Sequence, residues 1–144
     1  MEAVMQSAIK AYGEQRANAW TRIEMLIAIY NGAIDRIDKA QAAVESDESA
    51  VVEEHRLAAQ KLVMQLISGI DLQFGNLASQ MHNLCIHVAT ELNHATPRSL
   101  SHCGNILRKL REGFEGIREE AIVLESNGDI PGLRLSADVD IVVT

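Results

Sequence analysis

The sequence predicts an all-α fold: an antiparallel up-down four-helix bundle with an N-terminal arm and an extended C-terminal tail. Three observations predict it. Of 144 residues, 47% are hydrophobic and 23% charged, enough apolar material for one buried core, while aromatics make up only 3% and there are two prolines, a composition that suits helices better than an all-β domain. Apolar residues recur at spacings of three and four through four successive segments, the period of an amphipathic helix. The links between these segments are short, which makes sequential helices antiparallel neighbours. The division expected is an arm or short helix over 1–18, the bundle over 19–126 and the tail over 127–144.

The first helix is predicted over about 20–44, where Ile23, Ile27, Tyr30, Ile34 and Ile37 form one stripe. The acidic run Glu45-Ser46-Asp47-Glu48-Ser49 ends it and offers Ser49 as an N-cap for the next, with Glu53 and Glu54 near the positive end of that helix dipole. The second helix is predicted over about 50–74. Its apolar positions, Val52, Ala59, Leu62, Val63, Leu66, Ile67, Ile70 and Phe74, make a broader stripe that implies burial on more than one side. Gly75-Asn76 interrupts the pattern, and a third helix over about 76–95 carries Leu77, Met81, Leu84, Val88, Leu92 and Ala95. Thr96-Pro97 supplies an N-cap followed by proline at the first helical position. The fourth stripe runs Leu100, Cys103, Leu107, Leu110, Phe114, Ile117, Ala121 and Leu124, with Asn127-Gly128 as its stop. Arg108 with Glu112, and Arg111 with Glu115, are expected to pair four apart on its wet face. At the ends, Val4, Ala8 and Tyr12 make a weaker stripe, whereas Leu133, Leu135, Ala137, Val139 and Ile141 recur at every second position, the period of an extended chain.

Charge and hydropathy exclude several functions. A net charge of −7 has the wrong sign for gripping nucleic-acid phosphates or an anionic membrane surface. The longest apolar run, Met25 to Tyr30, falls far short of the roughly 20 residues that span a bilayer. No basic n-region or secretory cleavage pattern opens the chain, so a cytoplasmic location is expected. Cys85 and Cys103 lie on apolar stripes of different helices and read as small buried hydrophobes.

Catalytic chemistry finds no set of residues to carry it: there is no nucleophile elbow and no Gly-rich phosphate loop. The densest polar cluster is His82, Cys85, His87, Glu91, His94, His102 and Cys103. Glu91 and His94 form a Glu-x-x-His pair, and His87, Glu91 and His94 share a face of the predicted helix. A di-iron bundle needs that pair twice, and His55 is preceded three positions earlier by Val52. The cluster therefore reads first as a solvated helix face, with a zinc or iron site as the weaker alternative; no metal or other cofactor is expected. Gly113 and Gly116 inside the fourth helix suit either tight packing within the bundle or a ligand groove. An all-helical chain with surplus apolar surface and no catalytic set works most often by binding another protein.

Ala11-Tyr12, seventeen further residues, and then Tyr30-Asn31-Gly32-Ala33-Ile34 resemble the opening of the flagellar secretion chaperones of the FliS family. Thr21 stands where that family commonly carries a hydroxyl. The run from Gly75-Asn76-Leu77 through Leu84-Cys85 to Leu92-Asn93-His94-Ala95 is similar to its Leu-Tyr-x-Tyr and Leu-x-x-Ala-Asn signature, and Leu110-Arg111-Glu112-Gly113-Phe114 to its Leu-Arg-x-Ala-Trp. Arg22, Cys85, His87, Thr96 and Phe114 stand where the family has proline, two tyrosines, asparagine and tryptophan. The likeness covers about 8–124.

The resemblance implies a cytoplasmic export chaperone without covalent chemistry. It implies binding of the C-terminal segment of flagellin, prevention of premature polymerisation and delivery to the export gate. A partly amphipathic segment would lay its apolar positions into grooves between helices. Carried over by position, the client-binding residues are Tyr12, Leu26, Tyr30, Leu77, Leu84, Cys85, Val88 and Phe114. Tyr12, on the arm, is implied either as a plug over the empty groove or as simple packing on the bundle. The period-two tail suggests that 133–143 occupies a groove in cis and competes with the client, or pairs edge to edge in a dimer. The alternative function is a helical adaptor or dimerisation bundle, a homodimer through the wide second helix with no flagellin client.

Overall fold

A computed structural model describes residues 21–70 and 75–129, and within them the chain is all-helical. Five helices follow one another: α1 (Arg22–Glu45), α2 (Ser49–Ser68), α3 (Asn76–Glu91), α4 (Pro97–Gly116) and α5 (Arg118–Ser126). The chain divides into two compact units, Ala28–Gly113 and the pair of ends Met1–Ile27 with Phe114–Thr144. The arm with Tyr12, the residue Phe74 and the period-two tail lie outside the described residues.

In Ala28–Gly113 the core is drawn largely from the predicted stripes, although Leu77 and Leu84 of the third stripe are exposed. Tyr30, Ile34 and Ile37 of α1 are buried together with Ala33, Ala40 and Ala43. They are joined by Ala59, Val63 and Leu66 of α2, Cys85 and Val88 of α3 with Leu92 just beyond it, and Leu100, Cys103 and Leu107 of α4. Small residues let the helices approach. A Cβ on Gly32 would stand 3.3 Å from Leu62 Cδ1, and one on Gly104 would stand 3.6 Å from Ile37 Cγ2. Polar contacts fix the register. Arg36 Nη1 donates to His55 Nδ1 at 3.1 Å, and because a guanidinium only donates, His55 presents the unprotonated nitrogen there. Gln60 Nε2 donates to Ala89 O at 2.9 Å and to Asn93 Oδ1 at 2.8 Å. Arg111 Nη1 donates to Asn31 Oδ1 at 2.9 Å, and Arg108 pairs with Asp38. The two arginines thus reach across to α1 instead of pairing with Glu112 and Glu115 along their own helix, as predicted.

Several boundaries depart from the prediction, each for a local reason. Ser49 is the first residue of α2 and not its N-cap; Glu48 holds the cap position without a side-chain bond. The Glu48 N–H is already used to close α1: Asp47 takes φ 57°, Asp47 N–H donates to Val44 O and Glu48 N–H to Ala43 O, the paired bonds of a Schellman stop. α2 ends at Ser68 and not near 74. There the Ser68 hydroxyl donates to Gln65 O at 3.0 Å, competing with the backbone ladder just before Gly69. α3 ends at Glu91 instead of 95, because the chain must turn before Pro97 and does so through Ala95 at φ 51°.

Thr96 caps α4 as predicted. Ser99 N–H donates to Thr96 Oγ1 at 3.1 Å, and Thr96 N–H to Ser99 Oγ at 3.0 Å, the reciprocal pattern of a capping box. The predicted fourth helix does not run unbroken to 126. It stops at Gly116, turns at Ile117, where φ is −109° and ψ 6°, and restarts as α5. Two helix-weakening glycines within four residues, each with open space where a Cβ would be, leave that stretch without the packing that would hold it straight. The stop at Asn127-Gly128 stands as predicted: Gly128 has φ 80°, and Asp129 N–H reaches back to Leu124 O.

In the unit formed by the chain ends, Thr21 and Glu24 make a second capping box at the start of α1. Thr21 N–H donates to Glu24 Oε1 at 3.2 Å and Glu24 N–H to Thr21 Oγ1 at 3.3 Å. Glu125 Oε1 accepts from the Arg22 N–H at 3.0 Å, and Arg118 pairs with Glu24 at 3.4 Å. α5 buries no residue among those described.

Candidate functional site

The eight expected client-binding residues fall into four environments. Tyr12 lies outside the described residues. Leu26 and Phe114 are half-buried and belong to the unit of the chain ends. Tyr30, Cys85 and Val88 are core residues, Tyr30 only 1% exposed and the other two fully buried. In this structure the three have almost no surface to present. Leu77 and Leu84 are exposed, Leu77 at 69%, and their separation of seven residues puts them on one face of α3.

Other apolar side chains lie uncovered that the stripes do not mark. Leu57 and Met64 of α2 and Ile86 of α3 are exposed. Leu57 and Met64 stand three residues before and four after Gln60, and Ile86 stands three before Ala89. The Gln60 to Ala89 hydrogen bond is therefore flanked on both helices by uncovered apolar side chains. The signal available in the sequence is their position off the stripe: Leu57 and Met64 are seven apart and out of phase with Ala59, Val63 and Leu66. The surface of Ala28–Gly113 consequently carries two apolar strips, one along the α2–α3 seam and one on the Leu77 to Leu84 face.

The buried phenol and thiols of this unit are kept neutral. Burial, together with the charge and hydrogen bonding of the neighbouring Cys85, pushes the Tyr30 hydroxyl far above its usual range. Burial likewise raises the Cys85 thiol. Cys103 is pushed up to about 11 by burial and by the nearby Glu91 carboxylate, and its Sγ donates to Val88 O at 3.6 Å. Thiols so disposed pack and do not attack. The predicted face of His87, Glu91 and His94 does not form, since α3 ends at Glu91 and His94 sits in the following turn. His87 pairs instead with His102 of α4. Among the described residues no three His, Cys, Asp or Glu side chains gather closely enough to hold a metal ion.

The described residues thus form an all-helical chain with protonated buried thiols and exposed apolar side chains on its surface. The family model described as Flagellar protein FliS matches residues 5–121. The chain belongs to the FliS family. Membership carries the general role of a flagellar export chaperone, and the FliS match spans α1 to α4 with the start of α5. No curated protein is significantly similar to the chain. No helix of the described FliS residues is long and apolar enough to cross a membrane.

Proposed function

We propose that this FliS protein is a cytoplasmic chaperone that binds the C-terminal segment of flagellin, holds it back from polymerisation and hands it to the export gate. The segment would dock on an antiparallel up-down four-helix bundle formed by α1 to α4. The cross-helix pairs support that topology: Gly32 faces Leu62 while Arg36 meets His55, and Asn31 meets Arg111 while Asp38 meets Arg108. On both pairs of helices the numbers rise on one partner as they fall on the other.

The observation that carries the proposal is the set of uncovered large side chains Leu57, Met64, Leu77, Leu84 and Ile86 on a unit whose core is already filled. Apolar side chains grouped along helical faces suit an amphipathic segment that orders as it binds, spreading modest burial over a long surface. Tyr12, Leu26 and Phe114 are also proposed as client-binding residues, Tyr12 as the plug of the empty groove. The exposed pair Leu57 and Met64 also favours a second role, self-association through α2.

Co-elution on gel filtration with light scattering tests both. Full-length flagellin should elute as a complex with one copy of the chaperone, flagellin lacking its C-terminal segment should not, and Leu84→Asp should weaken the complex by about tenfold or more. A chaperone that elutes as a dimer, dissociates on Met64→Asp and ignores flagellin would establish the adaptor role instead.

A further inference from the structure

His87 of α3 and His102 of α4 approach with their Nε2 atoms 2.9 Å apart. Their ring centroids are 5.1 Å apart and their planes cross at 83°. Two imidazoles meet in this way when one nitrogen donates its proton to the lone pair of the other, so the two nitrogens face each other along one line with a single proton between them. A transition-metal ion can displace that proton and sit to one side of the line between the nitrogens, taking a lone pair from each ring as the exposed rings tilt toward it. With metal–nitrogen bonds of about 2.0–2.1 Å, a pair of imidazoles chelating one ion stands roughly 2.9–3.4 Å apart for bite angles between square and tetrahedral. The observed separation lies at the lower end of that span.

We propose that His87 and His102 form a two-imidazole chelate for a divalent transition-metal ion of the Zn2+ or Cu2+ class, joining α3 to α4. The inference does not depend on the flagellin client. Both side chains are exposed, so an ion reaches them without opening the core. With no third protein ligand gathered among the described residues, water completes the coordination and the ion exchanges freely. Borderline metals that favour imidazole are selected over Mg2+ and Ca2+, which require oxygen ligands. Because the ligands come from two helices, the ion binds the packed pair and not the separated helices, and binding therefore stabilises the fold. His55 has its Nδ1 engaged by Arg36, and His94 lies in the turn beyond α3, which makes His94 the natural control.

The test is calorimetric titration of the full chain, freed of metal by chelator, with zinc chloride, copper chloride and magnesium chloride, together with thermal melting in each. Zinc and copper should bind saturably at one ion per chain and raise Tm; magnesium should do neither. His87→Ala and His102→Ala, both at exposed positions, should each weaken binding by about tenfold or more and abolish the rise in Tm, with circular dichroism confirming that they fold. His94→Ala should behave as the parent does. Absence of a saturable zinc or copper site in the parent would overturn the proposal. So would retention of the same stoichiometry and Tm rise in His87→Ala, which would place the ion elsewhere.

Discussion

Gln60 of α2 donates to the main-chain carbonyl of Ala89 on α3 at 2.9 Å, and the same amide nitrogen donates to Asn93 Oδ1 at 2.8 Å. One side chain thereby sets the register of the seam whose rims carry Leu57, Met64 and Ile86. Replacing it leaves the Ala89 carbonyl to find water and frees the two helices to slide. Gln60→Ala should cost about 1–2 kcal/mol in urea unfolding, with little change in m-value. A variant as stable as the parent would show that the seam is held by apolar packing alone.

The capping box at the start of α1 predicts an acid-side loss of stability. Burial raises the Glu24 carboxyl, but hydrogen bonds with Thr21 and the charge of Arg118 outweigh it and hold the group below the usual carboxylate range. A folded pKa below the unfolded one contributes stability above the unfolded value and loses it as pH falls through the folded one. Thr21→Ala should therefore cost about 1 kcal/mol at neutral pH, and less once the medium is acid enough to protonate Glu24. Chemical unfolding of the two proteins across the acid range reads the difference.

The buried thiols give the opposite sign. Cys103 is raised from 9.0 to about 11, so between those values the unfolded chain has lost a proton that the folded chain keeps. Stability is complete below pH 9 and falls as pH rises toward 11, by roughly 2–3 kcal/mol from this group alone. Cys103→Ala should be less stable at neutral pH because of the cavity it leaves, yet its alkaline decline should be visibly shallower. An unchanged decline would assign the effect to Cys85 and Tyr30, whose groups burial also raises.

Two alanine and glycine exchanges act on the backbone. Ala95 holds φ 51° without a side chain able to bond locally, and Ala95→Gly should raise stability by about 1 kcal/mol. Gly113 and Gly116 lie in α4 with open space where a side chain would begin. The double replacement Gly113→Ala, Gly116→Ala should raise stability by about 1–2 kcal/mol and increase the helical signal in circular dichroism.

The core is legible in the sequence because burial and period coincide. Ile23, Ile27, Tyr30, Ile34 and Ile37 follow from spacing alone, and all are buried. The break at Ile117 is not legible from the stripe, since Leu100 to Leu124 keep their spacing across it. What ends α4 is the local weakness of Gly113 and Gly116, which periodicity does not weigh. At the candidate site the reverse holds. Likeness to a family signature selects Tyr30, Cys85 and Val88, and such a signature records packing as well as binding. Leu57, Met64 and Ile86 stand off the stripes, and only the packed helices show that they stay exposed. Likewise, the meeting of His87 with His102 depends on how α4 folds back on α3, which no spacing within either helix reveals.

The most direct measurement is calorimetric titration of the protein with a peptide comprising the C-terminal segment of its host's own flagellin, repeated at several temperatures and with Leu84→Asp. Saturable binding, a negative heat-capacity change and a markedly weaker variant are the predicted result, because the client buries apolar surface on these helices. A soluble peptide that produces no saturable heat with the parent protein would contradict the role of flagellin chaperone.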